Sequence, residues 1–231
     1  MMTGELTTRD DLAAALGWWT SAGIDTIVGD VPFAWLAPVA PVVPSAPLRS
    51  ALPRAEITVL SADSLVALAA ALVEAHSAAL FADGTAGDVM VIGDRPSAAD
   101  AAAGRVFADA AGVLLDRMLA AIGRSRGDTY LANAVQWPGS AAATSSEIAA
   151  AAPFLRRQIT LARPRAILAL GQGAATALTG STAGINRLRG HWLEVDGVPV
   201  LPTFAPAHLL RQPGHKALAW ADLCAFRAKL A

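Results

Sequence analysis

Four apolar stretches of this chain run into residues equipped for chemistry. VMVIG (89–93) leads to a carboxylate at Asp94. YLAN (130–133) ends in an amide at Asn133, a group that both accepts and donates hydrogen bonds and can therefore read an edge carrying both. RAILALG (165–171) opens into Gly171-Gln172-Gly173. LPTFAPAHLLR (201–211) breaks at Pro206, putting His208, Leu209, Leu210 and Arg211 on an exposed turn, with only Ala205 before the proline. Gly171-Gln172-Gly173 is compatible with dinucleotide binding but lacks a well-placed third glycine. His191 and His215 have no partners at metal-ligand spacing and read as surface or packing residues.

The elements that must position these residues follow from the pattern around them. From residue 87 the chain alternates strand (87–94), helix (109–123), strand (128–135), helix (146–162), strand (165–171) and helix (172–179). Alternation of this kind predicts a parallel sheet covered on both sides, an α/β fold with ligands at the carboxyl ends of the strands. The loops after residues 93, 133, 171 and 204 are then the places for chemistry. Asp196-Gly197 joins HWLEV to VPVLPTF as a hairpin, and a helix over about 214–230 closes the chain. Upstream, helical spacing over 8–22 carries Asp10 and Asp11 near its start. Prolines at 32, 38, 41, 44, 47 and 53 make 31–55 an extended arm. A further helix is expected over roughly 61–81, capped by Ser61 or Asp63. The chain thus divides into an N-terminal segment, 1–85, packed on a domain spanning 86–231.

At 231 residues one well-buried domain is the default. No apolar run reaches the ~18 residues of a membrane span, and MMTGELTTRDDL is unlike a signal peptide, so no membrane role and a cytoplasmic location are expected. The single cysteine, Cys224, excludes an internal disulfide and an all-cysteine metal cluster and reads as a packed thiol. Residues 1–100 carry 4 basic and 12 acidic side chains, residues 101–231 carry 14 and 7. The arginine clusters at 156, 157, 163 and 165, or at 187, 189 and 211, could neutralise phosphates or could equally be solvated helix faces.

Taken in order, VIGDRPS (91–97), GRVFADAAGVLLDRMLAAIG (104–123), YLANAVQW (130–137), EIAAAAPFLRRQI (147–159), RPRAILALGQGAATALTG (163–180), INRLRGHW (185–192) and PTFAPAHLLR (202–211) resemble the uracil-DNA glycosylase superfamily, particularly its iron-sulfur bacterial and archaeal class. The resemblance covers the chain from about Asp88 onward. It implies a three-layer α/β/α fold with a central, mainly parallel sheet, and a DNA-repair hydrolase that flips uracil or a related deaminated base out of DNA and cleaves its glycosidic bond. Neither metal nor cofactor is implied for the chemistry, and the partner is damaged DNA, bound by a monomer.

The resemblance also assigns parts. Gly93 and Asp94 belong to a Gly-acid-x-Pro-small loop, where Asp94 positions or activates water or balances an oxocarbenium-like sugar; the alternative is a turn cap. Phe107 stacks on the flipped base, or else is core. Asn133 reads the base edge, or satisfies loop backbone. Leu209, Leu210 and Arg211 form a wedge and phosphate contact, with Arg189 also on DNA, unless the leucines pack inward from a short helix. Two departures stand out. Ala205 replaces the histidine that in this family donates to the departing uracil anion; His208, three residues on, is the candidate substitute. Trp137 and Ala151 hold positions where the iron-sulfur class has cluster cysteines, and the N-terminal segment could fill that space. A catalytically silent DNA- or nucleotide-binding relative is the alternative to an enzyme.

Overall fold

The computed structural model describes residues 59, 61–139 and 141–230. The expected helix near 8–22 and the proline-rich arm over 31–55 lie outside the described residues. The elements are α1 (Leu65–Ala75), followed by β1 (Val89–Gly93), α2 (Ala98–Ala103), α3 (Ala110–Ala121), β2 (Tyr130–Asn133), α4 (Ser145–Ala162), β3 (Ala166–Leu170) and α5 (Gly171–Thr179). Then come α6 (Ile185–Leu188), the hairpin β4 (Leu193–Val195) and β5 (Val198–Thr203), α7 (Pro206–Arg211) and α8 (Lys216–Leu230).

The five strands form one sheet in the order β2-β1-β3-β5-β4, parallel throughout except for the β4–β5 hairpin. Every residue of β1, β2 and β3 is buried, because helices cover both faces. Alternate side chains serve opposite layers. Val89, Val91, Leu131, Leu168 and Leu201 pack with Leu115 and Leu119 of α3 and Leu223 and Phe226 of α8. Met90, Ile92, Ala132, Ile167 and Val200 pack with Leu155 and Ile159 of α4 and Ala174 and Leu178 of α5. The result is the expected α/β/α sandwich. Outside α4 lies α1, whose Leu68, Ala71 and Leu72 close on Phe154.

The register sets the functional geometry. Gly93 pairs with Asn133, and Leu170 pairs with Thr203, so the ends of β1, β2, β3 and β5 meet along one rim. The outer edge of β2 is covered by a bridge in which Leu131 exchanges both backbone hydrogen bonds with Asp83, each 2.9 Å.

Boundaries differ from expectation where side chains outbid the helical pattern. The helix expected from 61 starts at Leu65 because Ser64 caps it, accepting from the Ala67 amide, and it stops at Ala75. The segment 128–135 is a strand only over Tyr130–Asn133; a 3-10 turn over Arg126–Asp128 precedes it. The C-terminal helix starts at Lys216 after a 3-10 turn at Pro213–His215.

Arg189, expected on DNA, is committed to the interior. It reaches Asp222 of α8 through Nε at 3.0 Å and through Nη2, which also donates to the Leu218 carbonyl, and its guanidinium lies over the Phe204 ring. Asp222 is 2% exposed and accepts in addition from Thr203 Oγ1 at 2.7 Å. This ion pair ties the end of β5 and the turn after α6 to α8. Asp222→Ala strands a charged arginine in a site that is 17% exposed. The expected outcome is a loss of about 3 kcal/mol, read as a lower urea midpoint with an unchanged m-value.

Candidate active site

At the rim where β1 and β2 end, Asn133 and Phe107 both crowd Gly93. A Cβ on residue 93 would stand 2.5 Å from Asn133 Oδ1 and 2.7 Å from Phe107 Cζ, so only glycine permits the approach. Asn133 is 2% exposed, and its Nδ2 has no hydrogen-bond partner among the described residues. Such an orphaned donor is costly unless something docks against it. Phe107 is half-buried with a left-handed backbone, φ 55°.

These three residues, with Asp94, Leu170, Ala205 and Pro206, line a cavity of about 140 Å³. Asp94 Oδ1 is also buried without a partner. Burial raises the Asp94 pKa above its usual 3.8; Arg95 and the Ala143 amide pull it down, and Glu147 pushes it up. The helix α5 can come this close to Asp94 because residue 173 is glycine; a side chain there would overlap the carboxylate. Gly171-Gln172-Gly173 is therefore a close-packing device in this fold. A second recess of about 300 Å³ opens beyond Asp94 and Ala205, lined in part by Ser145, Gln172 and Thr176. An apolar groove between α3 and α8, around Leu114, Met118 and Trp220, holds neither carboxylate nor amide and stays apart from the site.

The profile of the uracil DNA glycosylase superfamily matches residues 81–224. The chain belongs to the uracil DNA glycosylase superfamily. It is 35% identical over 148 residues to the type-4 uracil-DNA glycosylase of Pyrobaculum aerophilum, a match covering 60% of this chain and 76% of that protein. It is 36% identical over 130 residues to the type-4 enzyme of Thermotoga maritima, covering 53% of this chain and 66% of that one.

Three residues expected at the superfamily site are elsewhere. His208 does not line the cavity: its Nε2 is 2.8 Å from His215 Nδ1, and both rings stack on Phe204. Burial lowers its pKa, with the charges of His215 and Arg211 adding to the effect. It sits on the outward turn of α7 because Ala205 caps that helix, placing residue 208 about a turn beyond the rim. Leu209, expected to be a wedge, is 1% exposed and packs in the core; the helical period of α7 turns it inward. Leu210 is 45% exposed, and Arg211 is exposed beside it. Arg189 is held by Asp222.

A four-cysteine iron-sulfur cluster does not fit this chain, whose only cysteine, Cys224, lies half-buried on α8. Trp137 stacks on His76, ring centroids 3.9 Å apart, and Ala151 is fully buried on α4. His76 caps the end of α1, so that helix, together with Phe154 of α4, supplies apolar packing in this region.

Arg95 was missed as a site residue although it stands next to Asp94. Its side chain is 10% exposed and pairs with Glu147 at 2.8 Å, while donating to the carbonyls of Pro138 and Ala141. Glu147 in turn accepts from the Thr144 amide and hydroxyl, the capping box of α4. The pattern T-x-x-E at 144–147 was the signal for its position. Those bonds and Arg95 lower the Glu147 pKa from 4.5 to about 2. A depressed carboxylate contributes stability above its unfolded pKa and loses it as pH falls through the folded value. Glu147→Gln is therefore expected to lower the melting temperature at pH 6, with the difference from the parent shrinking between pH 4.5 and 2. Parallel melting curves across that window would contradict it.

Proposed function

We propose that this chain is a DNA-repair glycosylase that hydrolyses the bond between uracil, or a related deaminated base, and deoxyribose, at a rate limited by Ala205. The carrying observation is the unpartnered amide of buried Asn133, set against Gly93 and Phe107 across a small cavity from the unpartnered Asp94 oxygen. A flipped uracil needs a flat apolar face, an acceptor for its N3–H and a donor for a carbonyl oxygen, and Phe107 and Asn133 offer all three.

In this reading Asp94, as carboxylate, orients water toward C1′ and takes its proton, or balances charge on the sugar as the glycosidic bond opens. The bonding pair leaves with N1 of uracil, producing a uracil anion. In the relatives' pattern a histidine donates to that anion; here Ala205 has no donor, and His208 is turned toward His215. A missing charge-stabilising donor costs roughly a hundredfold or more in rate. The same two observations support the second reading, a silent member of the superfamily that binds base and DNA without releasing uracil.

The deciding experiment incubates the protein with single- and double-stranded uracil oligonucleotides and cleaves abasic sites with alkali. Cleavage is expected, lost in Asp94→Ala and in Asn133→Ala; no product at high protein over long times would leave the binding reading. Because the Asp94 pKa is raised, the rate should fall on the acid side at a pH above 3.8. Ala205→His is expected to raise single-turnover release roughly tenfold or more, short of a full donor because the ring will be held imperfectly. Ala205 borders both recesses, and the residue packed beside it is Gly171, where a Cβ would stand 3.0 Å from the Ala205 Cβ. His208→Ala should leave the rate unchanged; abolition would return the donor role to His208.

A further inference from the structure

We infer that Arg126 is a positioning residue for the base cavity, acting through the main chain of Phe107, given the reading of Phe107 as the stacking ring proposed above. Arg126 lies in the 3-10 turn before β2 and does not line the cavity. Its side chain is 16% exposed and makes four hydrogen bonds. Nη2 donates to the Phe107 carbonyl at 2.9 Å, and Nη1 donates to the Val106 carbonyl at 3.0 Å. Nη1 also meets Asp83 Oδ2 at 2.7 Å, and Nε meets Asp116 Oδ1 of α3 at 3.1 Å. Two carboxylates thus hold the fork, and the fork holds two consecutive carbonyls.

Those carbonyls flank the one point where the loop is strained. Phe107 takes a left-handed backbone conformation, which a bulky residue keeps only when its surroundings hold it there. On the far side Asp100, 5% exposed, accepts from the Ala108 amide at 2.6 Å, so the loop is gripped before and after the strained residue. The consequence is the ring's place against Gly93, where it faces the cavity. A lysine at 126 could keep the ion pair with Asp83 but could not bond both carbonyls and Asp116 at once, because it lacks the planar fork.

The test is a double-mutant cycle read by the ratio of affinities for a uracil-containing and a matching thymine-containing oligonucleotide, measured by fluorescence anisotropy on the full chain. Phe107→Ala should reduce that ratio about tenfold and Arg126→Lys about fivefold, within the range of base–aromatic stacking. Combined, they should do no more than Phe107→Ala alone, while Arg126→Lys lowers the melting temperature equally in both backgrounds. That pattern separates positioning from general destabilisation, which would reduce the ratio again in the double variant. An unchanged ratio in Arg126→Lys, or a full second drop in the double variant, overturns the inference. If Phe107→Ala leaves the ratio unchanged, or the parent does not discriminate the two oligonucleotides, the functional reading fails and carries the inference with it. Should Arg126→Lys not fold, Asp83→Asn replaces it in the same cycle, and an unchanged ratio there is equally fatal.

Discussion

The pairing of β1 with β2 on one side and β3 on the other is the constraint from which the site follows. Parallel register forces the three strands to end together, and it sets Gly93 directly beside Asn133. Shifting β2 by one residue would send Asn133 to the wrong face of the sheet and put Ala132 or Ala134 at the rim. The buried, largely apolar strands make such a slip expensive, since each alternate side chain is matched to its own helical layer. Precision at the rim is thus secured by packing well below it.

What the strands cannot supply is the aromatic wall, because Phe107 belongs to a loop. There the fold uses charge. Arg126 and Asp100 grip the backbone on either side of Phe107, and Arg95 ties Pro138, Ala141 and Glu147 to the loop of Asp94. Loops that carry function on a rigid scaffold need such ties, because a short connection has no ladder of its own. Both ties use the same means: Arg126 divides its donors between two carbonyls and two carboxylates, Arg95 between two carbonyls and one carboxylate.

The layered sheet was legible in the sequence because continuous apolar runs alternating with helical patterns admit few other arrangements. Gly93, Asp94, Phe107 and Asn133 could be named because they stand at strand ends or in loops of superfamily type, and the structure brings all four to one cavity. The residues after Pro206 were harder. LLR reads alike as an exposed wedge or a buried turn, and only packing against α3 and α8 decides that Leu209 goes inward while Leu210 stays out. Arg189 looked free because its partner, Asp222, lies 33 residues away, a pairing that no local spacing announces. His215 showed no partner in the sequence, yet it meets His208 across the turn between α7 and α8. Long-range ion pairs and ring contacts of this sort depend on tertiary packing and leave no periodic trace.

The bridge between Asp83 and Leu131 reaches beyond local order. An open sheet carries two rows of unspent backbone groups, each a template on which another chain could polymerise. Here one row is partly occupied by the strap at residue 83, and the other ends in a three-residue strand bearing Glu194 and followed by Asp196. Short length and negative charge discourage an incoming strand, as the strap does on the far side. An apolar, alanine-rich chain is thereby shielded from growing into a fibre through the very ladder that aligns its site.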